Sequence, residues 1–375
     1  MTPLRISTAV RGIDARNVLD AVLEHLREHD LAAMPSEDGW AIDYSGARIS
    51  LAAESGALHA RIAAPTQEAL YDAKMLVFHH IVEFSACAPE AIQWSGDSIT
   101  FERPPAFRLL TVDAVRDIGP HMRRVRFRAA DLARYQRDED IHCKLIFPQP
   151  GVRDPEWPTL AANGTPQFPS GEKRLDIRTY TIRRIDAAQG WMEVDFVLHD
   201  DAGPGSAWAA QAAGGQQIGL SGPGGRSALP ADWMLLAGDE TALPAIARIG
   251  ESLPAETQGF ALIEVQTPAD EIELRLPPGM ALRWLHRGDT PAGAGTLLRD
   301  AIQACAIPDG PSRHVWVGAE FATAQSVRSW LRDTVGLGGK EQLVVAYWRR
   351  GMDETQMKGG AARSAAGGAG PKASS

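Results

Sequence analysis

Apolar positions divide the chain into three stretches of different period. Between Ala15 and Leu31 they recur at helical spacing, with Val18, Val22, Leu23 and Leu26 on one face and Asp14 placed as the N-cap. Alternating runs at Gly39–Tyr44, Ala47–Ala53 and Ala57–Ala63 predict short strands. Thr66 then opens a second helix, Gln67–Cys87, whose buried side is Leu70, Leu76, Val77, Ile81 and Phe84. Gln93-Trp94 and Ile99–Phe101 read as a closing strand, and Pro104-Pro105 forms a stiff junction. Residues 1–104 are therefore expected to form a small α/β domain.

From Phe107 the period drops to two. Arg108–Val115, Met122–Arg128, His142–Phe147, Leu175–Arg184, Trp191–His199 and Gln217–Leu220 read as strands of an antiparallel Greek-key barrel over residues 105–229. Pro148–Glu172 interrupts them as a long Pro- and Gly-rich loop, a length at which loops are usually functional or mobile. Beyond Ala231, strands at Trp233–Ala237, Phe260–Gln266, Met280–Arg287, His314–Gly318 and Leu343–Arg349 alternate with helices at Ala242–Leu253, Gly295–Ala306 and Thr323–Val335. That alternation predicts a parallel sheet with right-handed crossovers over residues 230–351. Ligands of such sheets sit outside the carboxyl ends of the strands, here Gly238–Thr241, Thr267, Arg287, Gly318–Glu320 and Arg349–Gly351. The fold class is thus multidomain, α/β and β, and residues 352–375, rich in Gly, Ala, Ser and Lys, are expected to be a disordered tail.

Composition narrows the functions available. A hydrophobic fraction of 44% with 23% charged residues is that of a soluble globular chain. The net charge of −9 argues against general nucleic-acid binding and leaves room for one local basic pocket. Cys87, Cys143 and Cys305 are too far apart for a metal or disulfide framework, which points to a reducing compartment. The first twelve residues lack the apolar core of a signal peptide, and no run is long enough to span a membrane. The expectation is a cytoplasmic protein, a monomer or weak homo-oligomer, without nucleic-acid partner or membrane insertion. His79 and His80 lack a carboxylate or cysteine at ligand spacing and read as packing or surface residues rather than ligands.

Two stretches carry candidate chemistry. Alternation along Leu175–Arg184 places Arg178 and Tyr180 on one strand face and Ile177, Thr179 and Thr181 on the other. A guanidinium and a phenol two residues apart suit a phosphate and a flat ring, although an ordinary surface strand has the same form. Gly203–Trp208 then opens a short helix through Ala213. Its first N–H groups suit a pyrophosphate, with Ser206 as cap or as donor, and an ordinary capped helix is the alternative. In the third stretch Thr241 is the natural N-cap after the Gly238–Thr241 turn. No Gly-x-Gly-x-x-Gly fingerprint is present.

The ordered strings His142–Pro148, Trp157-Pro158, Arg178–Thr181, Asp195–His199, Gly203–Ala209, Gly238–Pro244 and Tyr347–Gly351 closely resemble the siderophore-interacting protein family of FAD-dependent ferric-siderophore reductases. The resemblance runs from about Phe107 to Gly351. It implies a ferredoxin-reductase-like pair, an FAD-binding barrel followed by an NAD(P)H-binding sheet. The first domain is similar to a small domain of unknown function that is sometimes found alone. The resemblance places Arg178 at the FAD pyrophosphate, Tyr180 and Thr181 (with Thr179 in the same strand) at the isoalloxazine, His199 near the ribityl or adenosine part, and Gly205, Ser206, Ala207 and Trp208 at the pyrophosphate and adenine. Gly238, Asp239, Glu240 and Thr241 would face the nicotinamide nucleotide. The family often has Ala where this chain has Gly205, and Cys143 stands where a small apolar residue is usual.

The function implied is reduction of a chelated Fe(III) by NAD(P)H with FAD between them, releasing Fe(II). No protein acid, base, nucleophile or permanent metal site is required. A ferric siderophore is bulky and often anionic, so Lys144, Arg126, Arg128, Arg183, Arg349 and Arg350 are candidate substrate contacts, each with a plain solvated-surface alternative. Arg283 and Arg287 flank the third parallel strand, and Arg287 near its end could meet a 2′-phosphate, favouring NADPH over NADH. Two other functions fit the sequence: a general flavin or quinone reductase, and a non-catalytic iron-siderophore binding module.

Overall fold

A computed structural model describes residues 2–28, 31–161, 163–199, 203–310 and 312–352. The tail expected beyond Met352 lies outside the described residues. The chain forms two compact units, one of residues up to Phe107 together with Asp154–Gly171, the other of Arg108–Arg153 and everything from Glu172 onward.

The first unit is a six-stranded antiparallel sheet. In chain order its elements are β1 (Leu4–Arg11), α1 (Ala15–Glu28), β2 (Ala33–Ser36), β3 (Gly39–Tyr44), β4 (Ala47–Glu54), β5 (Ala57–Ala64), α2 (Gln67–Ser85) and β6 (Ser95–Gly96), and the strand order is β2-β3-β4-β5-β1-β6. Thr66 caps α2 by accepting from the Ala69 N–H at 3.2 Å, and Asp14 accepts from the Asn17 N–H ahead of α1. Both helices bury their apolar sides with Ile49, Leu58, Ile62 and Leu70 in one core. The alternation missed β1, because Ile6 and Val10 are its only large inward residues and Thr8 lies between them. The closing strand lies between the two stretches expected to form it, Gln93-Trp94 and Ile99–Phe101. Only Ser95 and Gly96 pair with β1, whereas Ile99 and Phe101 pack on the core without joining the sheet. His79 and His80 pack as expected, against Phe78 and against His25 and Phe84.

Part of the long loop belongs to this first unit. It folds into a two-strand hairpin, β10 (Thr159–Leu160) with β11 (Pro166–Gln167), numbered after β7 (Arg108–Gly119), β8 (Met122–Arg128) and β9 (Asp140–Pro148) of the barrel. Leu160 packs on the first core, Trp157 lies 5.8 Å from the Phe107 ring, and Lys74 donates to the Asn163 carbonyl at 2.7 Å.

In the second unit β7, β8 and β9 are joined by β12 (Leu175–Thr181), β13 (Arg184–Asp186), β14 (Trp191–Val197), the short helix α3 (Pro204–Ala210) and β15 (Gln217–Arg226). The seven strands run β12-β9-β15-β7-β8-β14-β13. The Ile182 N–H donates to Ile141 on β9 and the Arg183 N–H to Glu193 on β14, so the link between β12 and β13 draws the sheet edges together into a barrel-like form. Leu145, Phe147, Phe127, Val194 and Phe196 fill its interior.

The rest is a parallel sheet, β18-β17-β16-β19-β20, built from β16 (Trp233–Gly238), α4 (Leu243–Ser252), β17 (Gln258–Val265), β18 (Gly279–His286), α5 (Leu297–Gln303), β19 (Arg313–Glu320), α6 (Phe321–Trp330) and β20 (Gln342–Trp348). Gly238, the last residue of β16, faces Gly318 of β19 in register. A Cβ on Gly318 would sit 2.9 Å from the Ala242 Cβ, so small residues let the start of α4 descend onto the strand ends.

Polar contacts lock the barrel to this sheet. Arg183, 2% exposed, makes a two-pronged pair with Glu251 of α4 at 2.7 and 2.9 Å, and Arg184 joins at 2.9 Å. Arg248 donates to the Ile182 and Arg137 carbonyls, and His121 meets Asp270 at 2.8 Å. Burial opposes ionisation of Glu251, but the two arginines outweigh it and bring its carboxyl to about 2. An unfolded glutamate titrates near about 4.3, so this contribution is complete above that pH and is lost as the pH falls toward 2. Removing the carboxylate leaves a buried guanidinium unpaired, so Glu251→Ala should lower the unfolding free energy by roughly 3–5 kcal/mol near neutrality. Urea titrations should show the deficit relative to wild type shrinking between about pH 4.5 and pH 2.

Candidate functional site

The register of β12 against β9 decides what each side chain can reach. Arg178 stands opposite Leu145 and Tyr180 opposite Cys143, both buried partners, so these two residues share the interior-facing side of the ladder. Thr179 stands opposite Lys144 and Thr181 opposite His142, on the other side. Arg178 donates to the Ile177 carbonyl at 2.9 Å and forms no ion pair among the described residues. Tyr180 leans into an aromatic group, 4.6 Å from Phe196 and 6.3 Å from Phe147 by ring centroids.

Helix α3 meets Tyr180 at Gly205. A Cβ built on Gly205 would overlap the Tyr180 hydroxyl and lie 2.9 Å from Cζ, so glycine is what lets the phenol approach the first turn. The N-cap is Gly203, which offers no side chain, and Pro204 follows. Ser206 is therefore not the cap: its buried hydroxyl accepts from the His199 N–H at 3.4 Å. Trp208 extends the aromatic group inward, 5.5 Å from Phe147, 5.7 Å from Phe196 and stacked on Phe127 at 6.0 Å, while Ala207 and His199 are exposed.

On the opposite side of β12, Lys144 donates to the Thr179 hydroxyl. Thr181 is buried and hydrogen-bonded to the Tyr347 phenol, which also meets His142 Nε2 at 2.7 Å. Thr181 thus faces β20 and is not beside Tyr180. Burial, with help from Arg248 and Lys144, lowers the His142 pKa to about 4 and keeps the ring neutral at pH 7. Burial raises the Tyr347 phenol, which stays protonated. This Thr181–Tyr347–His142 group went unassigned in the sequence, because only the cross-strand register and the return of β20 to the barrel bring the three together.

At the carboxyl ends of the parallel strands, Asp239 is buried and accepts from the Thr241 N–H at 3.0 Å, the Thr241 hydroxyl at 2.5 Å and the Trp348 indole at 2.8 Å. The Thr241 hydroxyl is thereby taken from the capping role; Ala242 is the cap residue of α4 and makes no side-chain cap bond. Glu240 and Arg287 form a buried ion pair, so the guanidinium proposed for a 2′-phosphate already holds a carboxylate. Burial raises the carboxyl pKa values of both Asp239 and Glu240. Arg283 lies over Phe260 at 5.4 Å.

Several candidate substrate cations are structural. Arg183 is the Glu251 partner, Arg126 pairs with Glu193 at 2.7 Å and lies over Trp191 at 4.4 Å, and Arg128 meets Asp113 and the Gln189 carbonyl. Arg349 is exposed over the Phe321 ring at 4.6 Å, and the backbone N–H of exposed Arg350 donates to Glu320. Lys144 remains on the side of the ladder that faces β20. No three His, Cys, Asp or Glu residues among those described form a metal-binding group.

These residues fit FAD. Arg178 provides a cation without a carboxylate partner among the described residues, the first turn of α3 has no side-chain cap, and Gly205 lets the Tyr180 ring lie close against that turn. A barrel of this kind followed by a five-stranded parallel sheet is the arrangement of ferredoxin-reductase-like flavoproteins. Residues 111–227 match the siderophore-interacting FAD-binding domain, residues 231–351 the siderophore-interacting protein family, and residues 7–95 a family described as an uncharacterized protein conserved in bacteria. An uncharacterized protein of Mycobacterium tuberculosis is 36% identical over 66% of this chain and 92% of its own. Ferric vibriobactin reductase of Vibrio cholerae is 32% identical over 66% and 91%. The crystal structure of a siderophore utilization protein from T. fusca is 37% identical over 68% and 97%, with a TM-score of 0.61. The chain belongs to the siderophore-interacting protein family, and its barrel is an FAD-binding domain.

The contact of Gly205 with Tyr180 can be tested directly. Gly205→Ala should cost about 1–3 kcal/mol by overpacking. Combining it with Tyr180→Phe, which removes the overlapping oxygen, should recover part of that loss in a double-mutant cycle read by chemical unfolding.

Proposed function

We propose that this chain is a ferric-siderophore reductase with FAD as its resident cofactor and NAD(P)H as electron donor, working in the cytoplasm. The observation that carries the reading is the close approach of Tyr180 to Gly205, with Arg178 on the same face of β12, inside the FAD-binding domain of a siderophore-interacting protein. When bound, FAD supplies the exchange between a two-electron donor and a one-electron acceptor. Arg178 holds the pyrophosphate with the N–H groups of the α3 turn, and Tyr180 borders the ring system. The strand ends at Gly238–Thr241 and Gly318–Glu320 receive the nicotinamide nucleotide.

The substrate is a chelated Fe(III). One NAD(P)H releases two electrons and a proton, enough to convert two Fe(III) chelates to Fe(II). Oxygen chelators hold Fe(II) less tightly than Fe(III), so release needs no protein acid or ligand. Lys144 draws an anionic chelate to the side of β9 and β12 that also carries His142 and Thr181. Neutral His142 and protonated Tyr347 add no charge of their own there, and Arg248 adds to the positive field at His142.

Two variants separate cofactor from substrate. Arg178→Ala should weaken FAD retention by roughly 1.5–3 kcal/mol, about ten- to hundredfold in Kd, read as flavin absorbance per chain after gel filtration. Lys144→Ala should raise KM for an anionic ferric chelate and spare flavin content; a KM unchanged across chelates of different charge would remove that role. The central experiment is anaerobic reduction by NADH or NADPH, then addition of ferric chelates, following flavin reoxidation and Fe(II) capture. Flavin that stays reduced on adding ferric chelates but reoxidises with quinones would indicate a general reductase. A purified chain without flavin absorbance would indicate a binding module.

A further inference from the structure

The first unit contains a cavity that the reductase reading does not use. Its volume is about 350 Å³, at the small end of the range typical of ligand pockets, and Ile6, Lys74, Trp94, Ile99, Phe101 and Leu160 form its main walls. Lys74 is 8% exposed. Its ammonium has three hydrogens, and the described residues provide one acceptor, the Asn163 carbonyl at 2.7 Å, together with the Trp94 ring at 5.9 Å. No carboxylate pairs with it among the described residues; Asp97, which also lines the cavity, accepts instead from the Arg5 N–H. Gly164, at φ 82°, makes room for the ammonium, since a Cβ there would lie 2.8 Å from Nζ.

A second donor lines the same cavity. The Trp94 indole N–H is buried and has no acceptor among the described residues. The Tyr71 hydroxyl is likewise buried without a partner, its ring edge-on to Phe101 at 6.2 Å. Buried donors left without acceptors are costly, and a buried cation without a counter-charge more so. The walls thus offer donors and the Lys74 ammonium against apolar and aromatic surface, and the remaining polar lining is Ser95, Ser98 and the Asp97 carboxylate, which the Arg5 N–H engages. A phosphate dianion would ask for more cations than one. A carboxylate matches the charge, and its two oxygens match the ammonium and the indole.

We propose that this cavity binds a small organic carboxylate with an apolar body of about the size of one ring, its oxygens on Lys74 and Trp94 and its body against Ile99, Phe101 and Leu160.

The test is calorimetric titration of the full chain with benzoate, with benzyl alcohol as the neutral counterpart and with inorganic phosphate. Benzoate should bind at least tenfold more tightly than either. Lys74→Met, which keeps the length of the side chain and removes its charge, should abolish that preference. Trp94→Phe, which keeps the Lys74–Asn163 contact, should weaken benzoate at least threefold and leave benzyl alcohol unchanged, and it decides the matter if Lys74→Met fails to fold. No binding of benzoate by the wild-type chain, equal binding of benzoate and benzyl alcohol, preference for phosphate, or benzoate binding unaltered in these variants would overturn the assignment.

Discussion

The pairing of Arg183 with Glu251 is the constraint on which the rest of the second unit depends. Arg183 lies in the short link where the barrel draws its sheet edges together, and Glu251 lies near the end of the first helix of the parallel sheet. One ion pair therefore ties closure of the barrel to attachment of its neighbour. Separating them would strand a nearly fully buried guanidinium, whose desolvation is offset only while the carboxylate is present. Arg184 joins the same carboxylate, and further contacts across this boundary run to the Ile182 carbonyl and through His121 and His142. A well-defined boundary matters for the proposed reaction, in which cofactor and donor nucleotide would be held by different halves and would have to meet in one geometry.

β12 turns that boundary into a two-sided device. Its interior face carries the cation and the ring proposed to hold FAD, and its other face carries Thr179, opposite Lys144 of β9, and Thr181, which meets Tyr347 of β20. Alternation along one strand would thus separate the residues proposed to hold the cofactor from the side on which the substrate is proposed to approach. The buried His142–Tyr347 contact is a neutral one, which would suit a wall beside the charged chelate proposed as substrate, since a titrating group there would make the field depend on pH.

Much of this layout was readable in the sequence, and the reasons differ by element. The parallel strands were found because they are buried on both faces and read as continuous apolar runs, as in Trp233–Gly238. The Arg178–Tyr180 face was found because period two is unambiguous over seven residues. β1 was not, since a central strand with threonine and serine in its pattern looks like a polar segment. The pairs Arg126–Glu193 and Glu240–Arg287 were invisible for another reason. Their partners are 67 and 47 residues apart, and no local rule distinguishes an engaged arginine from one free for a ligand. Thr241 was misassigned as a cap, and Ser206, read as cap or donor, accepts from a backbone N–H, because a hydroxyl at the right spacing can serve other partners once the chain folds back.

The hairpin that the flavin-binding sequence lends to the first unit alters how the molecule can be taken apart. The chain passes between the two units three times, near residues 107, 153 and 171, so a cut at Pro104-Pro105 leaves two covalent tethers in place. A fragment ending at residue 104 would carry Lys74 without the carbonyl it meets and Phe107 would be lost with its tryptophan neighbour. A fragment beginning at residue 105 would expose Leu160 and Trp157 without the core that covers Leu160. The two halves are therefore not beads on a string, and dissecting them calls for grafting the hairpin onto the first unit and closing the barrel loop with a short substitute.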